Sequence, residues 1–236
     1  MSKEYTRAET LYRLNNVGDF SRLYNKEFIK QKGKTKDTEE YYTEVMAKEL
    51  EKNKQRFEKI KQITRKSTYK WHKPVPCGDD MKKSLCGEVT FAKMLFCHQA
   101  SLGELGQIIE YQVPLNDERA DKAGKIDLVS ETEDSLHLIE FKYDSKDTLL
   151  RAVLEIETYS RQLCDTKFLK DFGAEKKEIQ KSILLFGNCR AFDEAEEIKK
   201  DKRPALKKLI ETLNVSIYQL ELLFKVVKKN LRAGCS

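Results

Sequence analysis

The chain has 236 residues, 39% hydrophobic and 36% charged, enough for a sizeable core in one or two domains, and it has no apolar run long enough to span a bilayer. Lys and Arg outnumber Asp and Glu by 45 to 39, a net charge of +6 and a pI near 8.8, which suits a polyanionic partner. The six cysteines (Cys77, Cys86, Cys97, Cys164, Cys189 and Cys235) form no Cys-x-x-Cys pair and have only His72, His98 and His137 to join them, which excludes a zinc site of recognisable spacing. Free thiols in a reducing cytoplasm are expected, and Met1-Ser2-Lys3-Glu4-Tyr5 carries no apolar signal region.

In chain order, residues 1–32 read as helical, with Leu11, Leu14, Val17, Phe20, Leu23, Tyr24 and Phe28 at three- and four-residue spacings. Gly33 and its neighbouring lysines break the pattern, and a longer helix is expected over 38–63, burying Tyr42, Val45, Met46, Leu50, Phe57 and Ile60. Cations then accumulate from Lys52 to Lys73, among them Lys66 and Lys70, with Tyr69 and Trp71 near the end. That run reads either as a phosphate-tracking surface or as an ordinary solvated face. Pro74, Pro76 and Gly78 mark a boundary, giving a basic helical region over 1–78, an α/β domain over 79–224 and a basic tail over 225–236.

Residues 86–96 suit an amphipathic helix with Glu88 near its start, and Glu104 lies between Gly103 and Gly106. Residues 107–115 suit a strand ending at Pro114, and the charged loop 116–124 with Lys125 beyond it offers Lys122 and Lys125 to phosphate. Two further strands follow over 125–129 and 136–143, then a helix over 148–172 carrying Tyr159 and Gln162 one turn apart. A buried strand over 181–186, a helix from Arg203 to Leu213 started by Pro204, and a strand or strand-helix over 215–224 complete the reading. Strands alternating with helices give an α/β or α+β class, a mixed sheet flanked by helices and preceded by a helical N-terminal region.

Strands 125–129 and 136–143 carry the chemistry. Asp127 points away from Ile126 and Leu128, and Glu140 and Lys142, two residues apart, share a face. The short polar loop between the strands allows a hairpin that sets Asp127 beside Glu140, with Lys142 next to both. Two carboxylates that close, half buried, are costly unless a positive charge lies between them. Mg²⁺ or Mn²⁺ meets that need, taking oxygen ligands completed by a backbone carbonyl such as that of Phe141. Such an ion polarises a phosphoryl oxygen and activates a water, and Lys142 stands where an ammonium would assist. The competing reading is a cross-strand ion pair on a solvated sheet face.

The set Asp127, spacer, Glu140-Phe141-Lys142 resembles the signature of the PD-(D/E)XK nuclease superfamily, the restriction-endonuclease-like fold that includes RecB-type nucleases and Holliday-junction resolvases, over roughly residues 84–222. Ile126 stands where the name-giving proline would be. The resemblance implies a core of helix, three strands, helix and strand, with Asp127 and Glu140 as metal ligands and Lys142 as the catalytic lysine. It also implies a further acid, Glu88 or its rival Glu104, and Gln162 and Tyr159 near the site and the nucleic acid. DNA is the expected substrate ahead of RNA, and two sites, as in a homodimer, would be needed to cut both strands in one encounter. A nuclease-like module that binds DNA or protein without cutting is the alternative.

Overall fold

A computed structural model describes residues 4–73, 87–117 and 124–220. The expected boundary at 74–78, Lys122 and the tail over 225–236 lie outside the described residues.

The N-terminal region is helical but more broken than its apolar spacing predicts. Helix α1 (Arg7–Asn15) opens on a capping box in which Thr6 and Glu9 satisfy each other's backbone N–H groups. A 3₁₀ turn (Phe20–Asn25) follows, and helix α2 (Tyr42–Lys52) buries the expected face of Tyr42, Val45, Met46 and Leu50. The long helix expected over 38–63 stops at Asn53, whose side chain donates to the Glu49 carbonyl at 2.9 Å. A second 3₁₀ turn (Lys54–Lys59) then swings Phe57 fully into the core. From Lys61 to Lys73 no helix forms, because the backbone finds its hydrogen bonds elsewhere: Ile63 N–H donates to the Gln162 carbonyl at 2.8 Å, and the Lys66 and Ser67 N–H groups to Asp117.

Next comes helix α3 (Glu88–Cys97), then a five-stranded mixed sheet in the order β1 (Gln107–Pro114), β2 (Lys125–Glu131), β3 (Ser135–Lys142), β4 (Glu178–Phe186) and β5 (Val215–Leu220). The first three strands are antiparallel neighbours, and β3, β4 and β5 run parallel. The parallel pairs require crossovers. Helices α4 (Leu149–Gln162) and α5 (Asp165–Phe172) connect β3 to β4, and α6 (Arg190–Lys199) and α7 (Pro204–Thr212) connect β4 to β5. The order helix, three strands, helix, strand is therefore present, beginning at α3.

Two differences from expectation have causes in contacts distant in sequence. The helix expected over 148–172 divides into α4 and α5 because the Gln162 carbonyl serves Ile63, while Leu163 is extended (φ −69°, ψ 143°). Helix α6 has no forerunner in the sequence pattern: its buried stripe is little more than Ala191, Phe192 and Ala195 in an acidic stretch, and its buried Glu194 accepts the Leu149 N–H at 2.8 Å, capping α4 from outside.

The sheet separates two apolar clusters. On one side α3 packs Phe91, Leu95 and Phe96 against Ile108, Leu128, Ile139, Phe141 and Leu184. On the other, Val129, Leu136, Leu138, Ile183 and Leu185 meet Leu150, Val153 and Leu154 of α4. Leu14, Phe20, Leu23, Tyr42, Met46 and Phe57 of the N-terminal region belong to this same cluster, so that region has no separate core. Polar contacts fix it there: Arg203 donates to Thr43 Oγ1 at 2.8 Å, and the Glu44 carboxylate accepts the Ala205 and Leu206 N–H groups at the start of α7. Among the described residues no helix is long and apolar enough to cross a membrane, and Cys97, Cys164 and Cys189 are free thiols.

Candidate functional site

The register sets three polar side chains in a row across the sheet. β1 pairs Tyr111 with Leu128 and Val113 with Ile126, which puts Gln112 opposite Asp127. β2 pairs Leu128 with Ile139, where the ladder between these strands ends, so Asp127 follows on β2 and Glu140 on β3 just beyond the last pair. Gln112 has a left-handed backbone (φ 48°), uncommon for a residue with a side chain, and its amide donates to Asp127 Oδ1 at 2.8 Å. Asp127 Oδ2 accepts the Phe141 N–H at 3.0 Å, so the carboxylate is held on both oxygens.

Glu140 and Lys142 lie on the α4 side of β3. Lys142 Nζ is 2.5 Å from Glu140 Oε1, 3.6 Å from Glu155 Oε2 and 3.7 Å from Glu88 Oε1. Glu155, in the middle of α4, has no counterpart in the sequence reading. Tyr159, one turn on, donates its hydroxyl to Glu155 Oε1 at 2.9 Å, whereas Glu155 Oε2 is buried with no hydrogen-bond partner. Glu88, in the first turn of α3, reaches over the strand ends and accepts the Tyr143 N–H at 3.3 Å. The Lys142 and Glu140 side chains are 5% and 3% exposed and that of Glu88 is 28% exposed, so the cluster opens to solvent on the Glu88 side.

Four carboxyl groups thus face one ammonium in a largely dry site, and the electrostatics follow. Burial, opposed by Lys142 and reinforced by Glu88, pushes Asp127 up to about 7. Burial, with the Glu155 and Asp127 charges adding to it, holds Glu140 well above the usual carboxylate range, and burial raises Glu88 as well. Burial alone would lower the Lys142 ammonium, but Glu140, Glu155, Glu88 and Asp127 together hold it well above its ordinary value. Tyr159 is raised by burial and then by Glu155, so it remains a neutral donor.

Of the acids weighed in the sequence, Glu88 joins the cluster. Glu104 is exposed on a 3₁₀ turn (Gly103–Leu105) before β1, at the end of that strand remote from Asp127. Phe141 lies between Glu140 and Lys142, with its ring buried among Phe91 and Tyr143. Tyr159 is buried, its ring edge-on to Tyr24 at 5.6 Å, so it serves the acid cluster and is no surface contact for nucleic acid. Gln162 is at the far end of α4 and lines a separate cavity with Arg56, Lys59 and Lys61. Lys125 is exposed at the start of β2, and Lys66 and Lys70 are exposed on the 61–73 segment, away from the acids in the chain path.

Gly124, just before β2, lies directly against Tyr159 of α4. A Cβ there would stand 2.1 Å from the Tyr159 hydroxyl and 2.2 Å from its ring. Gly124→Ala is expected to displace Tyr159, free Glu155 and cost about 1–3 kcal/mol, as overpacking does. Thermal unfolding measures the loss, and an unchanged melting temperature would show that the ring has room to move.

The donor set suits a hard divalent cation: it is all oxygen, it carries more negative charge than one lysine neutralises, and Glu155 Oε2 is an orphaned acceptor. Among the described residues no three acids, histidines or cysteines stand at the spacing of a preformed metal site, and the Lys142 ammonium lies within 4 Å of three of the acids. Compared with known proteins, the chain matches no family model, no curated protein and no solved structure.

Proposed function

We propose that this protein is a cytoplasmic metal-dependent nuclease of the PD-(D/E)XK type that hydrolyses phosphodiester bonds of DNA. The observation that carries the reading is the gathering of Glu88, Asp127, Glu140 and Glu155 around Lys142, drawn from two strands and the ends or middle of two helices. A fold gains nothing in stability from concentrating like charges in a half-buried site, and their convergence supports the reading of a site arranged for a cation and a phosphate.

In this reading Asp127 and Glu140, with Glu88, Glu155 and the Phe141 carbonyl available, would hold Mg²⁺ or Mn²⁺. When bound, that ion supplies Lewis acidity to the phosphoryl oxygen and lowers the pKa of a water. Gln112 and the Phe141 N–H orient Asp127, and Tyr159 orients Glu155, so the ligands are set before substrate arrives. The Lys142 ammonium, kept charged by its neighbours, stabilises negative charge developing on the phosphoryl group. Its three N–H donors let it turn from Glu140 toward a phosphate oxygen.

The test is cleavage of supercoiled plasmid and end-labelled linear DNA in Mg²⁺, Mn²⁺ and EDTA, with Asp127→Asn alongside. Cutting that needs the metal and is lost in the variant is the expected result, and cutting that survives Asp127→Asn or EDTA would overturn the assignment. A second reading, a nuclease-like module that holds DNA without cutting it, is favoured by the closed contact of Lys142 with Glu140. It predicts DNA binding with no metal-dependent product.

A further inference from the structure

The N-terminal region touches the acid cluster and, a few residues away, forms one wall of a basic cavity. Tyr24, in the 3₁₀ turn Phe20–Asn25, meets Tyr159 edge-on at 5.6 Å, and its carbonyl accepts from Arg151 Nε of α4 at 3.3 Å. At the start of the same turn, Gly18 to Ser21 face the second 3₁₀ turn, residues 61–63 and Gln162 across a cavity of about 530 Å³. One helix and one turn therefore border both places. Gln162 lies three residues beyond Tyr159 and seven beyond Glu155, about 4.5 Å and 10 Å along the axis of α4.

The cavity is chemically distinct from the acid cluster. Arg56, Lys59 and Lys61 line it, and both lysines are exposed. Its one acid, Asp19, accepts from the Ser21 backbone at 2.8 Å and from Ser21 Oγ at 2.6 Å, bonds that hold its carboxyl below the ordinary value and tie its charge to the turn. The Arg56 guanidinium lies 4.0 Å from the Phe20 ring centroid and donates to the Val17 carbonyl, so it is fixed in place before any ligand enters. Gln62 and Gln162 add neutral donors, and the Ile63 N–H to Gln162 carbonyl bond fastens the wall to the end of α4.

We infer that this cavity is a strand-binding subsite: Arg56, Lys59 and Lys61 take the phosphates of a single nucleic-acid strand next to the one held at the acid cluster. The placement relative to the scissile phosphate rests on the nuclease reading, whereas binding at the cavity does not. A space of this volume accepts a ligand of about one or two nucleotide units. Its donors are charged or amide groups with no exposed aromatic platform, since Phe20 is buried beneath Arg56, so it tracks the backbone without reading bases. A second cavity of about 610 Å³ shares Gly18, Asp19 and Ser21, and it is of mixed character, with Arg13 and Lys26 beside Glu27 and the exposed ring of Tyr12.

Fluorescence anisotropy of a labelled single-stranded oligonucleotide in EDTA, titrated with salt, tests the inference on the full chain. Lys59→Ala/Lys61→Ala is expected to weaken binding by about tenfold and to flatten the dependence of log K on log salt by roughly 1.4, about 0.7 for each phosphate that is no longer neutralised. Lys199→Ala, which removes an exposed cation on α6 outside both sites, is expected to bind as tightly as the wild type. Wild-type and doubly substituted proteins binding alike, or failing to bind at all, would overturn the subsite. A duplex bound as tightly as the single strand, with the same sensitivity to the two lysines, would overturn its single-strand character. Absence of metal-dependent cleavage while binding still depends on Lys59 and Lys61 would defeat the nuclease reading and leave the subsite standing. Hydrolysis of a small chromogenic phosphodiester, too short to reach the cavity, is expected to be unchanged in the double variant.

Discussion

Lys142→Met lowers the stability of the protein by about 3–5 kcal/mol at pH 8 in EDTA, the usual consequence of removing one partner from buried charges. For a chain of this size that is a fall in Tm on the order of 10 °C. The ammonium is the common neighbour of Glu88, Glu140 and Glu155 and lowers the pKa of Asp127, so its loss leaves the buried Glu140 and Glu155 and the half-buried Asp127 and Glu88 without a cation. The deficit shrinks as pH falls. Asp127 titrates near 7 in the folded protein against an ordinary value of 3.8, and Glu140 is displaced in the same direction. Between those values the folded protein binds more protons than the unfolded chain, so this part of the stability is full below about 4 and is lost as pH rises through 7. Thermal unfolding at pH 8 and pH 6 measures the effect. Mg²⁺ added to Lys142→Met at pH 8 is expected to restore part of the lost stability, because a divalent cation can stand where the ammonium stood. A variant as stable as the wild type at pH 8 would show that the acids are not ionised together.

Glu140→Gln gives the opposite pattern, with activity lost and the fold retained. Metal-dependent cleavage is expected to fall by roughly 10³-fold or more, about 4 kcal/mol of transition-state stabilisation. Stability at pH 8 is expected to fall by less than in Lys142→Met, because a neutral amide of the same shape replaces a carboxyl whose charged form burial disfavours and Lys142 supports, while Glu155 and Glu88 still face the ammonium. Rates on a labelled linear DNA, paired with melting curves of the same preparations, separate the two quantities. Wild-type cleavage in Glu140→Gln would remove Glu140 from the chemistry, and an inactive variant that melts as early as Lys142→Met would show a structural role only.

The two strands that carry Asp127 and the Glu140–Lys142 pair were legible because period-two alternation and a short polar loop leave one register that hides the apolar residues. Glu88 was legible as a first-turn acid, though its choice over Glu104 needed the geometry of α3 over the strand ends. Glu155 was not legible. Leu154-Glu155-Ile156-Glu157 presents two acids two apart in an apolar helix, and Glu155 points to the cluster while Glu157 pairs with Arg161 and Lys181. Only the rotational setting of α4 on the sheet decides between them, and that setting comes from packing. The apolar pattern of the same helix continues to Phe172, yet α4 ends early because a carbonyl that would extend it bonds a residue about a hundred positions away in sequence. Local propensity cannot register a competitor of that kind. The short α6 is hidden for a related reason, since its buried Glu194 is satisfied by the start of another helix.

The sharing of one core by the N-terminal region and the later helices has a bearing on how the chain is made. Arg151 and Tyr24 bond across 127 residues, and Arg203 and Thr43 across 160. Contacts that distant raise contact order, and their loop-closure entropy must be met before they contribute anything. On the ribosome the first sixty residues emerge early, yet the surfaces they cover, α4 and α7, are complete only near residue 212. The acid cluster thus acquires its Tyr24 wall and its basic neighbour late in synthesis, so a nascent chain lacks the finished site and an abortive fragment ending before α7 carries an uncovered apolar face.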